Sequence, residues 1–305
     1  MPRRKSDPNV HLFYKLEWVE RWVCAVAKQL DGDGYLITTY PMYPQTELLP
    51  RALILAAGEG TRLRPLTLAR PKPMLPIAGR PLLEHTVRWL HSFGVREIAI
   101  NLHYKPEVIV QHFGDGSAFG VQIHYSHEPK ILGTAGAARK IKAWVDGRPL
   151  VVVYGDVLTD LDLHAMLRYH HQVIARDATA AVTMSLYHVP NPTEVGLVGM
   201  DDTGRVNRFV EKPKPSEVFT DLANAGVLVL QPTVLDLIPE DVFCDFGMHI
   251  FPMLLQAGLS IYGWVIPHDT YLLDIGSPEK YAQANREWPE HRRRKADAQP
   301  AAANS

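Results

Sequence analysis

Four charged side chains stand where they could hold and transform a phosphate chain. Arg62 follows the run Leu53-Ile54-Leu55-Ala56-Ala57-Gly58-Glu59-Gly60-Thr61, an apolar strand feeding a glycine turn, and Lys72 stands in Pro71-Lys72-Pro73-Met74-Leu75-Pro76. Glycines let the backbone approach an anion closely with its N–H groups turned inward, and the two cations add side-chain charge. That is the chemistry of a triphosphate site. It is not a P-loop, because no Lys-Ser/Thr pair follows the glycines. Nor is it a dinucleotide GxGxxG turn, because Leu63 stands at the third glycine position. Read alone, Gly58-Glu59-Gly60 is an ordinary strand-turn-helix corner; Thr61-Arg62-Leu63-Arg64-Pro65-Leu66-Thr67 and the Pro-Lys-Pro segment carry the phosphate reading. Asp156 closes an apolar strand after Gly155, and Asp274 ends another after Tyr271-Leu272-Leu273. Each alone is a strand-end turn or cap. At one sheet edge the pair would suit Mg²⁺, with phosphate oxygens and water completing an octahedron.

The elements that must position these groups alternate in period. Strands are expected over 52–56, 97–101, 121–125 and 150–154, and helices over 81–93, 107–113 and 134–145. This βαβ pattern predicts an α/β fold: a Rossmann-like three-layer αβα arrangement around a mixed, mostly parallel sheet. Asp162 is placed to cap a helix running through Tyr169. Beyond Ala178 strands dominate, over 180–187, 196–200, 205–210 and 223–230, with Asp201-Asp202-Thr203-Gly204 as a hairpin turn. Nucleotide is expected at the carboxyl ends of the first strands, and its co-substrate across the same cleft.

Three segments are expected: 1–50, a 51–287 catalytic domain, and a disordered 288–305 tail rich in Ala, Gln, Pro, Asn and Ser after a basic run. In the first, Leu12, Leu16, Val19, Val23, Val26 and Leu30 are spaced 4, 3, 4, 3 and 4 apart, one seam of a helix. That helix either packs on the domain as extra core or serves as a dimerisation element, making a homodimer, or as a partner element, packing ranking first because the seam is under three heptads. The 305 residues, 46% of them hydrophobic, suffice for a full core, and a net charge of −1 excludes a general basic field for nucleic acid or membrane. Two cysteines, Cys24 and Cys244, make no disulfide framework or metal spacing. The chain has no signal-peptide core and no membrane-length apolar run, so a cytoplasmic protein is expected. The 14 histidines are scattered, and a solvated or capping role is expected of His170-His171.

Five ordered motifs across roughly residues 51 to 285 resemble those of the sugar-1-phosphate nucleotidylyltransferases. They are the glycine-rich block with Pro-Lys-Pro, Leu132-Gly133-Thr134-Ala135-Gly136, Tyr154-Gly155-Asp156, Glu211-Lys212-Pro213 with Asn224-Ala225-Gly226, and Leu273-Asp274-Ile275-Gly276-Ser277-Pro278. The resemblance implies that Leu55, Ala57, Gly58, Gly60, Thr61, Glu128, Gly133 and Thr134 bind a nucleoside triphosphate. It implies that Arg62, Lys72 and Asp156 are catalytic, that Asp156 and Asp274 hold Mg²⁺, and that Gly196, Glu211, Lys212 and Asn224 meet a sugar 1-phosphate. The hexapeptide repeats that many relatives carry are not present, so no fused acyltransferase is expected. Glu128 can accept from the N1–H and amino group of guanine, which favours GTP. The glycine block and Leu132-to-Gly136 look most like mannose-1-phosphate guanylyltransferases. Thymidylyl- or uridylyltransferases for glucose 1-phosphate, enzymes for heptose or amino-sugar phosphates, and a catalytically silent regulatory relative remain alternatives. A nicotinamide-dependent enzyme is disfavoured by the failed GxGxxG. Deletion of residues 1–48 is expected to change molecular size in solution or activity; a truncated chain with both unchanged contradicts either role for the N-terminal helix.

Overall fold

The computed structural model describes residues 50–298. The N-terminal helix expectation and Cys24 lie outside the described residues. β1 (Arg51–Leu55) is followed by short single-turn helices and the small hairpin β2 (Pro76–Ile77) and β3 (Arg80–Pro81). Then come α1 (Leu82–Ser92), β4 (Glu97–Leu102), α2 (Pro106–Phe113), β5 (Gln122–His127), α3 (Gly133–Lys140), α4 (Lys142–Val145), β6 (Leu150–Tyr154) and β7 (Val157–Thr159). The second half runs α5 (Leu163–Arg176), β8 (Ala180–His188), β9 (Gly196–Met200), β10 (Val206–Glu211) and β11 (Leu222–Leu230). It ends with a π-helical turn (Phe246–Ile250), α6 (Phe251–Gln256), β12 (Ser260–Val265), β13 (Leu272–Asp274) and α7 (Pro278–Ala298).

The predicted α/β class and mixed sheet are present. β6-β1-β4-β5 is entirely parallel, and β8 and β12 add another parallel pair. Alternation explains the three layers: Leu53, Leu150 and Val152 face one core with α3 and α6, whereas Ala52, Ile54, Val151 and Val153 face the other with α1, α2 and α5. Strands buried on both faces must be apolar throughout, as β6 is. The expected single helix over 134–145 is broken at Ile141 into α3 and α4. Asp162 does cap α5, its carboxylate accepting from the Ala165 N–H at 2.9 Å.

β11 divides the sheet. Its residues Val227 to Leu230 pair antiparallel with β6, while on the same side only Ala223 pairs with β9; on the other side the register with β8 shifts between Asn224 and Leu228. The strands on that side therefore split at Asn224-Ala225-Gly226, and the crotch opens beside the carboxyl end of β6. This is how one sheet makes room for a second cavity beside the first.

Two expectations are corrected. The tail is helical to Ala298 among the described residues, because Trp288 is buried at 4% exposure and stacks on His291 and edge-on to His85. An interior Pro289 costs the helix a hydrogen bond, and the buried Trp288 beside it opposes that loss. His170 is not solvated: it is 1% exposed, its Nδ1 meets Thr183 Oγ1 at 2.8 Å, and its Nε2 meets Gln231 Nε2 at 2.9 Å. Among the described residues no helix is long and apolar enough to cross a membrane.

Burial, and secondarily the charge of His171, push the His170 pKa down to about 3. A folded-state pKa depressed from the usual 6.5 means that the unfolded chain binds the extra proton, so His170 lowers stability as pH falls from about 6.5 toward 3. His170→Asn is expected to flatten the melting temperature against pH in that window; an unchanged slope contradicts this.

Candidate active site

The carboxyl ends of three parallel strands are joined by a hydrogen-bond relay. The Ala56 N–H beyond β1 donates to Asn101 Oδ1 (2.6 Å) in β4, Asn101 Nδ2 donates to Glu128 Oε1 (2.9 Å) beyond β5, and the Leu132 N–H donates to Glu128 Oε2 (2.9 Å). Asn101 and Glu128 are buried, so this satisfaction is required, not decorative. Glu128 was expected to read a base edge; each of its oxygens already accepts from the chain.

The glycine turn is built against Lys72. Gly60 has φ 63°, and a Cβ there would lie 2.7 Å from Lys72 Cβ, so any side chain would displace the lysine stem. Thr67 Oγ1 donates to Gly60 O at 3.0 Å and closes the turn. Lys72, 9% exposed, extends to Asp156: Nζ lies 2.6 Å from Oδ2. The same Nζ is 3.9 Å from Asp274 Oδ1, and Lys280 Nζ is 3.5 Å from Asp274 Oδ2.

Asp156 and Asp274 do come together, but not on an edge of the central sheet. β7 continues from Asp156, and β13 pairs antiparallel with it so that Asp274 faces Val157; the Ile275 N–H donates to Asp156 O at 2.8 Å. Burial and then the charge of Asp156 raise the Asp274 pKa, opposed by Lys72, Lys280 and Arg62. Asp274 Oδ1 is buried without a hydrogen-bond partner. An orphaned carboxylate oxygen beside a second carboxylate fits a hard divalent cation that takes its other ligands from phosphate and water. No cluster of three or more His, Cys, Asp or Glu suited to a metal occurs among the described residues. The pair alone is therefore the candidate.

Two cavities meet here. One, of about 450 Å³, is lined by Leu55, Ala57, Gly58, Gly60, Thr61, Lys72, Glu128, Gly133 and Thr134. The other, of about 720 Å³, is lined by Gly196, Glu211, Lys212, Asn224 and Asp274. Arg62, Tyr154, Asp156, Asp245 and Gly276 line both. Every site residue expected from sequence thus lines one or both of two adjoining cavities. Burial raises the Glu211 pKa, Lys212 opposes it, and Asp245 adds to it. Lys212 holds a φ of 46° with its N–H donated to Val195 O at 3.1 Å, a backbone strain found at ligand sites.

Asp245, Asn101 and Lys280 were not assigned from sequence. Asp245 caps the π-helical turn through the Gly247 and Met248 N–H groups and accepts from Thr134 Oγ1 at 2.8 Å, which ties the two cavities together. Its signal, an Asp two residues before a glycine, reads equally as a simple cap.

β13 is held by the helix that follows it. Asp160 Oδ1 accepts from the Tyr271 N–H (2.8 Å), and Oδ2 meets His291 Nε2 (2.6 Å) and Lys295 Nζ (2.5 Å), both on α7. The strand carrying Asp274 is thereby clasped to the end of β7.

Residues 51–291 match the nucleotidyl transferase family. A mannose-1-phosphate guanylyltransferase of Mycobacterium tuberculosis is 39% identical over 235 residues, covering 77% of this chain and 63% of that protein. A UTP–glucose-1-phosphate uridylyltransferase of Synechocystis is 37% identical over 249 residues, covering 77% and 62%. The chain thus spans less than two thirds of the length of these relatives. Among solved structures, HddC from Yersinia pseudotuberculosis aligns with a TM-score of 0.65 at 26% identity over 79% of this chain and all of that one, and a further structure of it holds GMP-PN. A putative glucose-1-phosphate thymidylyltransferase from Bacillus anthracis aligns at 0.69 and 23% identity, over 78% of this chain and 94% of that one; it shares the fold.

Burial raises the Asp160 pKa, but hydrogen bonds from His291, Lys295 and the Tyr271 backbone outweigh it and leave it lowered. A depressed carboxylate stabilises the fold above its unfolded pKa of about 4 and loses that contribution as pH falls through the folded value. Asp160→Asn is expected to lower stability by about 2 kcal/mol at neutral pH and to converge with the parent protein in acid. An equal deficit at every pH would contradict the charge pairing.

Proposed function

The chain belongs to the nucleotidyl transferase family, and on that premise we propose that it transfers a nucleotidyl group from a nucleoside triphosphate to a sugar 1-phosphate, releasing pyrophosphate. GTP and mannose 1-phosphate are the favoured pair, giving GDP-mannose. The observation that carries this reading is the shared wall: five residues, Arg62 and Asp156 among them, line both cavities, so two anionic substrates can meet over one set of charges.

The phosphate oxygen of the sugar 1-phosphate attacks the α-phosphorus in line. The bond from that phosphorus to the bridging oxygen breaks, and pyrophosphate leaves with the electron pair. No general base is needed, because the nucleophile is already an anion. Lys72 holds the α-phosphate or the incoming sugar phosphate, and Arg62 the pyrophosphate side, where charge grows in the transition state. Neither forms a covalent intermediate. Asp156 and Asp274 are the residues that would hold Mg²⁺, whose chemistry there is neutralisation of phosphate charge. Glu211 and Asn224 take the sugar hydroxyls, Lys212 the sugar phosphate, and Gly196 leaves the ring room to approach.

A second reading, UTP with glucose 1-phosphate, is favoured by one observation: both Glu128 oxygens already accept from within the chain, which weakens the case for guanine made on that residue. Resemblance to the guanylyltransferase and to a structure holding GMP-PN supports the first.

Pyrophosphate release with Mg²⁺ is measured for GTP, dTTP, UTP, ATP and CTP against mannose, glucose, N-acetylglucosamine and heptose 1-phosphates. The expected result is one dominant cell at GTP and mannose 1-phosphate. A blank matrix from protein that still binds nucleotide overturns the reading in favour of a silent regulatory relative. Lys72→Met, which keeps the stem packed on Gly60, is expected to cut turnover at least about 100-fold with the circular dichroism spectrum unchanged; near-normal turnover contradicts its role.

A further inference from the structure

Large apolar side chains that stand exposed in a folded protein are informative when they gather at a concave surface. Two of those exposed among the described residues, Ile131 at 41% and Phe243 at 57%, line the cavity built on the glycine turn. Phe243 is the one aromatic ring in that exposed set. The two come from loops more than a hundred residues apart, yet their backbones are stitched together. The Cys244 N–H donates to Leu132 O at 2.8 Å, and Cys244 O accepts from the Ala135 and Gly136 N–H groups at 2.9 and 3.0 Å. Gly133 makes this approach possible: its φ is 76°, and a Cβ would lie 2.5 Å from Cys244 O. Ile131 and Phe243 are each one residue from that seam, so these bonds anchor both of their loops where the two residues line the cavity.

The Phe243 ring is also oriented. It meets His249 edge to face, centroids 6.1 Å apart at 83°, and His249 Nδ1 accepts from the Asp245 N–H at 3.0 Å. A ring held in place before a ligand arrives loses little freedom on binding. The polar groups on this side of the cavity are used internally, since Glu128 and Asn101 satisfy each other and the backbone. What the wall offers a flat heterocycle is a face.

We propose that Phe243 is the residue on which the nucleobase stacks, with Ile131 as the second apolar wall, and that this contact favours a purine over a pyrimidine by its larger stacked area. The proposal deepens the nucleotidyl-transfer reading and rests on it. Phosphates at the Gly58-to-Arg62 turn and a base against Phe243 place the two ends of one nucleotide on one cavity wall.

The test compares the parent protein with Phe243→Ala and Phe243→Trp. With Phe243→Ala, the KM of the preferred triphosphate is expected to rise about tenfold or more. The kcat and the sugar-phosphate KM stay unchanged, and the preference for purine over pyrimidine triphosphates narrows. Phe243→Trp restores all of these. An unchanged triphosphate KM in Phe243→Ala overturns the proposal, as does equal loss in both variants. Calorimetric binding of GTP and UTP separates this failure from that of the parent reading. If no variant turns over but the alanine variant alone loses nucleotide affinity, stacking stands and the transfer reading falls. If the parent protein binds no nucleotide, both fall.

Discussion

The contact on which the arrangement depends is the 2.6 Å pair between Lys72 and Asp156. A lysine that is 9% exposed is costly to desolvate and is tolerated only against carboxylate. Its stem is pressed on Gly60, its head on the end of β6, and its charge offsets two aspartates that would otherwise repel. The glycine turn, the Pro-Lys-Pro segment and the two carboxylate strands are thus one electrostatic unit.

That unit needs a sheet that stops being continuous at the right place. Parallel strands β6, β1 and β4 deliver backbone and polar ends to one edge, as open α/β sheets do. β11 pairs with β6 only over Val227 to Leu230 and with β9 only at Ala223, and the opening between them becomes the second cavity. Asp245 then bridges the two, from a capping position on the π-helical turn to Thr134 at the start of α3. Arg62 lines both cavities and Lys72 the first, so cationic charge stands at their junction.

The carboxyl-terminal helix belongs to the same unit. β13 has three residues and pairs only with the equally short β7, too little to hold a strained acidic cluster alone. α7 supplies the rest through Trp288 packing and the His291 and Lys295 contacts to Asp160. A basic run that composition marks as solvent-seeking is in part a clasp.

Several features were legible in the residues themselves. The apolar runs of β1 and β6, the period of α1 and α2, the Asp162 cap and the Asp201-to-Gly204 turn are local, because backbone preference and burial pattern act over a few neighbours. The ordered motifs also named many of the residues that line the two cavities, since they carry their chemistry in short spacings. Distance in sequence hid the rest. Nothing local to His170 shows that Thr183 and Gln231 will surround it, and nothing near Trp288 shows that His85 and Tyr271 await it. Likewise Glu128 carries free lone pairs until Asn101 and the Leu132 N–H occupy them, and Asp274 joins Asp156 through a separate small sheet. Motif chemistry is written in side-chain types and short spacings, so sequence alone determined it. Burial, pairing and the sharing of one wall by two cavities arise from contacts between segments that only the folded chain brings together, so tertiary structure decided them.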